Sequence, residues 1–156
     1  MALSKDQIRA TYPLPVYNYK VEIDGNTVGF SEVTGLSIGY ETATYVESAL
    51  SGGVGPRRMY MPSQRKSATV TLKKGVVTGV SVPTLFAWIN SIALNRVDKK
   101  DIYVRLCDET GAAVVSWKVI NAFPTKLDAP GFTASSNDAA VESMELMADG
   151  VVIEQS

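Results

Sequence analysis

The stretch 51-SGGVGPRRMYMPSQRKS-67 decides between two folds. Gly52, Gly53 and Gly55, followed by Arg57 and Arg58, fit a flexible loop around a phosphate group. The same residues fit the far end of a long hairpin in an all-β domain. A P-loop needs G-x-x-x-x-G-K-[ST] between a strand and a helix. Here Pro56-Arg57-Arg58 follows the glycines, no Lys-Ser/Thr pair is present, and the segments on both sides read as strands. A dinucleotide fingerprint fails on the same context. Residues 47–67 are therefore expected to form an extended hairpin or loop.

Outward from that stretch the chain alternates with period two, the signature of half-buried strands. Upstream, 36-LSIGYETATYV-46 is rich in Thr and Tyr, as a half-exposed strand is. In 16-VYNYKVEI-23, Tyr17, Tyr19, Val21 and Ile23 share one face, and Asp24-Gly25-Asn26 supplies a turn before Val28 and Phe30 return. Downstream, 68-ATVTLKKGVV-77 sets Ala68, Val70 and Leu72 against Thr69, Thr71 and Lys73. The segments 102-IYVRLC-107, 112-AAVVSWKVI-120, 139-AAVESMELM-147 and 151-VVI-153 complete the set, with 108-DETG-111 as a turn. The five tyrosines Tyr12, Tyr17, Tyr19, Tyr40 and Tyr45 are read as strand packing.

One segment breaks the rhythm. In 81-SVPTLFAWINSIAL-94, Leu85, Trp88, Ile89 and Ile92 stand at i, i+3, i+4 and i+7. That spacing predicts one amphipathic helix anchored on the core by those four residues. Ser81 is its expected N-cap, and Pro83 is tolerated in a first turn. The expected fold is about eight strands and one helix, a mainly β, antiparallel sandwich or barrel-like domain with a flanking α-helix. Its 156 residues fit one domain, 1–156, with residues 1–11 as an N-terminal arm. Long strands with unblunted edges need pairing, and a closed ring of identical neighbours supplies it.

Composition narrows the chemistry. The chain has no His and one Cys, which removes the usual general base, zinc sites and thiol–imidazole pairs. No cofactor and no metal are expected. The pairs Asp98/Asp101, Asp108/Glu109 and Glu142/Glu145 lack the spacing of a calcium loop and are read as surface groups. No apolar run approaches the ~20 residues of a membrane span, and MALSKDQIRATYPLP carries no apolar core of a signal peptide. Assembly in the cytoplasm is the expectation, with any exit as part of a larger object.

Charge is distributed unevenly. No Asp or Glu lies between Ser48 and Val97, where Arg57, Arg58, Arg65, Lys66, Lys73, Lys74 and Arg96 fall. No Lys or Arg lies from Leu127 to Ser156, where six carboxylates fall. Two solvated surfaces pairing within the fold account for this, and so does a head-to-tail contact between copies. The basic run interleaved with Tyr60 also admits a single-stranded nucleic-acid-binding β-barrel as an alternative function. Against that stands a pI of about 5.5, where about 9 is expected of such a domain.

The order and spacing of six segments is more specific. These are 13-PLPVYNYKVEIDG-25, 30-FSEVTGLSIGYET-42, 69-TVTLKKGVV-77, 85-LFAWINSI-92, 117-WKVINAFPTKL-127 and 135-SSNDAAVESMELMADG-150. Together they resemble the tail tube proteins of contractile phage tails and of phage-tail-like extracellular contractile injection systems, from about Tyr12 to Gly150. The resemblance implies a non-enzymatic structural subunit. Six copies would close into a homo-hexameric ring whose strands form a continuous β-barrel around a lumen able to hold cargo. Stacked rings would make a tube inside a contractile sheath protein, which drives it through a target envelope. No specific nucleic acid is then expected. The subunit would be released from the cell within an extracellular particle or virion tail.

Under that resemblance Thr69, Thr71 and Lys73, with Ser143 and Glu145, are candidates for the lumen face. Gly52, Gly53, Gly55, Arg57, Arg58, Tyr60, Arg65 and Lys66 are candidates for contact with the next ring or with the spike and baseplate hub protein. The connection 47–67 is longer than in typical members. That leaves open a specialised first ring joining tube to spike, beside an ordinary tube subunit.

Overall fold

The computed structural model describes residues 2–155, and the side chains of all of these except residues 80–83. The described residues form ten strands: β1 (Tyr19–Ile23), β2 (Asn26–Val28), β3 (Glu32–Thr34), β4 (Tyr40–Glu47), β5 (Arg57–Arg65), β6 (Ala68–Gly75), β7 (Lys100–Cys107), β8 (Ala113–Asp128), β9 (Val141–Ala148) and β10 (Gly150–Gln155). Helix α1 spans Lys5–Thr11. A second helical segment runs through α2 (Thr78–Val80), a π-helical stretch (Ser81–Phe86) and α3 (Ala87–Asn90).

Eight strands make one antiparallel sheet in the order β2-β1-β7-β8-β9-β6-β3, with β10 also on β8. Its spine is β8. The first part of β8 pairs with β7 and β10, and the part after the bend pairs with β9. The bend falls at Asn121, at φ 52°, whose amide donates to Asp101 Oδ1 at 3.0 Å and whose Nδ2 donates to Asp149 Oδ2 at 2.8 Å. Both halves then face one core. Val21, Ile102, Val104 and Val119 come from one half and Val70, Leu72, Met144 and Leu146 from the other. Strict alternation makes this work: β6 buries Ala68, Val70, Leu72 and Lys74 and turns Thr69, Thr71 and Lys73 outward.

The helical segment caps this core through Leu85 and Trp88, both buried, with Ile89 packed against them. Trp88 Nε1 donates to the Asp98 carbonyl at 2.7 Å, which ties down the chain after the helix. Ile92 departs from the expected stripe: it lies beyond Asn90 and is 38 % exposed. A π-helical turn holds more residues than an α-turn, so the 3.6-residue stripe read from the sequence drifts out of phase. The expected roles of Ser81 and Pro83 fall on side chains outside the described residues.

The N-terminal arm is a helix at Lys5–Thr11, closed by a capping box. Ser4 Oγ accepts from the Gln7 amide at 3.2 Å, and Gln7 Oε1 accepts from the Ser4 amide at 2.8 Å. Arg9 fastens it to the β7–β8 turn, at 3.2 Å from Asp108 and 3.3 Å from Glu109. Asp108 Oδ1 in turn accepts from the Thr110 hydroxyl at 2.6 Å, the Thr110 amide at 2.9 Å and the Ala112 amide at 3.2 Å. These bonds, the Thr110 hydroxyl foremost, hold its carboxyl below the ordinary 3.8. A depressed folded pKa stabilises above the unfolded value and is lost as pH falls through the folded one. Protection of the Thr110 and Ala112 amides against hydrogen exchange should therefore persist down to pH 3.8 and fall below it. In Asp108→Asn that step should be absent.

Candidate assembly interface

Strands β4 and β5 form a two-stranded sheet of their own. The register runs from Tyr40↔Arg65 at the root to Glu47↔Arg57 at the far end, with one irregularity between Tyr40 and Thr42. None of its residues belongs to the buried core. A lone hairpin is marginal in water, yet this one exposes Tyr40, Tyr45, Val46, Tyr60 and Met61, with Leu50 and Val54 in its connecting loop. The ribbon thus carries exposed apolar side chains beside two open strand edges.

The structure separates the eight residues assigned to this stretch. Gly52, at φ +82°, and Gly53, whose amide donates to the Leu50 carbonyl at 2.9 Å, make the tip turn. Gly55 lies so close to Ala49 that an added Cβ would sit 2.9 Å from its backbone nitrogen. Arg57 lies 3.7 Å from Glu47 across the hairpin. Arg58 and Tyr60 are exposed on the other face of the ribbon, paired in register with Val46 and Thr44. Arg65 and Lys66 belong to the root: Arg65 lies over the Tyr40 ring at 6.0 Å and against Gly150, and the Lys66 amide donates to Gly39 at 2.9 Å. Arg58 and Arg65 are thus separated by roughly 23 Å of strand, so the basic run is spread along the hairpin.

Thr69, Thr71, Lys73, Ser143 and Glu145 come together. Cross-strand register sets Thr71 opposite Glu145 and Lys73 opposite Ser143, on the outer face of the β9-β6-β3 part of the sheet. Lys73 pairs with Glu32 at 3.1 Å, and Lys126, in register with Glu145, lies 3.4 Å from Asp128. The face is polar and its charges are of both signs, so it has little net field.

Two further readings are corrected. Of the five tyrosines assigned to strand packing, only Tyr19 packs on the core, its hydroxyl donating to the Phe30 carbonyl at 2.6 Å; the other four are exposed. Glu142, read as a surface group, is buried beside Lys74, its partner in the ladder. Its place on the core side of β9 is set by the same alternation that buries Met144 and Leu146, and that phase was available in the sequence.

Residues 15–152 match the family model described as T4-like virus tail tube protein gp19. Among solved structures, a chain of an extracellular contractile injection system, the PVC sheath–tube complex in its extended state, is 43% identical. The match covers 99% of this chain and 100% of that one, with a TM-score of 0.87. A chain of the anti-feeding prophage cap, the AFP tube-terminating cap, is 40% identical over 100% of both chains, TM-score 0.84. A chain of the PVC sheath/tube terminator in its extended state is 42% identical over 92% of this chain and 97% of that one, TM-score 0.80. No curated protein sequence matched.

Proposed function

The chain belongs to the T4-like virus tail tube protein family, and from that premise we propose that it is a subunit of the inner tube of a contractile injection system. The observation that carries this reading is the 43% identity, end to end, with a chain of a sheath–tube complex. In the proposed assembly six copies close into a ring, rings stack, and the tube is pushed through a target envelope when the sheath protein contracts. The subunit catalyses nothing; stiffness and a bore are its contribution. Its partners are further copies of itself, the sheath protein and, at one end, the spike or baseplate hub. It assembles in the cytoplasm and leaves within the particle. Among the described residues no helix is long and apolar enough to cross a membrane.

Structural features support pairing between copies and a polar bore. The free-standing hairpin and the open edges of β2, β3 and β10 suit pairing between copies. The polar face holding Thr69, Thr71, Lys73, Ser143 and Glu145 suits a water-filled bore. The single-stranded nucleic-acid alternative is not favoured, because Arg57 is matched by Glu47 and the other cations are dispersed. The ordinary tube subunit is preferred to a specialised first ring. The chain matched in the sheath–tube complex is covered over 100% of its length by 99% of this one, which leaves the 47–67 hairpin no large excess over that relative.

Electron micrographs of the purified protein, with light scattering across concentration, test the reading. Rings of six and stacked tubes are the expected result. A monomer at every concentration would overturn it.

A further inference from the structure

Glu142 is 2 % exposed, and its Oε1 has no hydrogen-bond partner. None of the ion pairs among the described residues includes it. Lys74, its neighbour in the ladder, is buried as well, but its ammonium donates to the Gly75 carbonyl at 3.2 Å. A buried carboxylate oxygen without a donor is costly, so a donor from outside the chain would be well received there. The broad terminal torsion of a Glu side chain lets either oxygen turn toward such a donor.

Glu142 is also a wall of a cleft of about 400 Å³ beside the ends of β6 and β8. Val76, Phe86, Leu127 and Phe132 make most of its surface apolar, and Asp128 adds a second carboxylate. Among the described residues no Lys or Arg lines it. Lys126 lies 3.4 Å from Asp128, but both side chains are more than half exposed, and such pairs are weak. The cleft therefore presents two carboxylates to an occupant and no cation. Its volume falls within the roughly 300–1,000 Å³ of small-molecule sites. An aromatic or alkyl body would take the walls out of water, including Phe132, which is 85 % exposed. Ionised carboxylates only accept hydrogen bonds, and those from a cationic donor are the strong ones.

We propose that this cleft binds a small organic ammonium ion with an aromatic or alkyl body. Its N–H groups donate to Glu142, Asp128 adds attraction of the same sign, and its body packs on the apolar walls. This site goes beyond the tube reading and does not depend on it.

Isothermal titration of the purified full chain with phenethylammonium chloride tests the site, beside the neutral isostere 2-phenylethanol. Saturable binding of the ammonium is expected, about tenfold or more tighter than that of the alcohol, as one charge-assisted hydrogen bond supplies. Equal affinities would reduce the cleft to an apolar hole and overturn the proposal, as would no saturable binding of the ammonium at millimolar concentration. Glu142→Gln should weaken the ammonium by a similar factor and leave the alcohol unchanged. Undiminished ammonium binding in that variant would overturn the role of Glu142. Should Glu142→Gln fail to fold, Phe132→Ala replaces it, since it removes an exposed wall and no buried group. Weaker binding of both compounds is then expected, and unchanged binding of both would place the ligand elsewhere and end the proposal.

Discussion

Gly35→Ala is expected to remove about 2–5 kcal/mol of stability, a large share of the ~5–15 kcal/mol of a typical domain. Two costs add. Gly35 sits at φ +88°, a left-handed conformation that costs an L side chain about 1–2 kcal/mol. An alanine Cβ there would also collide with the Thr69 carbonyl oxygen and lie 3.2 Å from Val70 Cα. Neither can yield cheaply. Both belong to β6, which is held between β3 and β9, and Val70 is fully buried. Overpacking of that kind adds about 1–3 kcal/mol. Gly25→Ala is the control, because Gly25 has φ +77° but open space around it. Urea denaturation should show a midpoint far lower for Gly35→Ala than for Gly25→Ala. Equal midpoints would mean that β6 moves aside and that the close approach is unimportant.

The same region shows what was legible beforehand. Thr34-Gly35 reads as a break between strands, but nothing local reveals that β6 crosses over it. Alternation is a local property, and where it is strict, as in β6, the strand, its polar face and the core side holding Ala68, Val70 and Leu72 followed from it. Where backbone geometry intervenes it fails. Strand β8 runs to Asp128, well past the expected end at Ile120, because Asn121 at φ 52° bends the strand without ending it. Pro124 sits at a register irregularity of that strand, where a missing amide is tolerated. Helix α1 was missed although Ser4-x-x-Gln7 is a readable capping box, because no apolar stripe follows it. In the candidate interface, the hairpin itself was legible from the glycines between two strand patterns. The division of its basic residues between tip and root was not, since Arg65 finds Gly150 only through the tertiary fold. Glu142 reads as a surface group by residue type alone, but the phase of β9 outweighs its charge and buries it with Met144 and Leu146.

Replacing residues 42–62 by a short Gly-Asn-Gly turn is expected to abolish assembly while sparing the fold. The excised ribbon supplies no residue to the buried core, and its backbone hydrogen bonds lie within itself. Retaining Tyr40 and Arg65 keeps the root contacts with each other and with Gly150. Loss of folding stability should therefore stay within about 0.5 kcal/mol, the range of surface changes that touch no buried group. The effect on association runs the other way. Exposed Tyr45, Val46, Tyr60 and Met61 lie on that ribbon, and its two open edges offer the strand pairing a continuous barrel requires. Removing both leaves the short edges β2 and β3 and the six residues of β10 to hold copies together. Size-exclusion chromatography should then show monomer where the intact chain is expected to form rings and tubes, with an unchanged circular dichroism melt. Rings that close but do not stack would confine the hairpin to axial contacts and return ring closure to those edges. Tubes of ordinary length would refute the role given to the hairpin here, since a ribbon with that much exposed apolar surface would then have no covering partner.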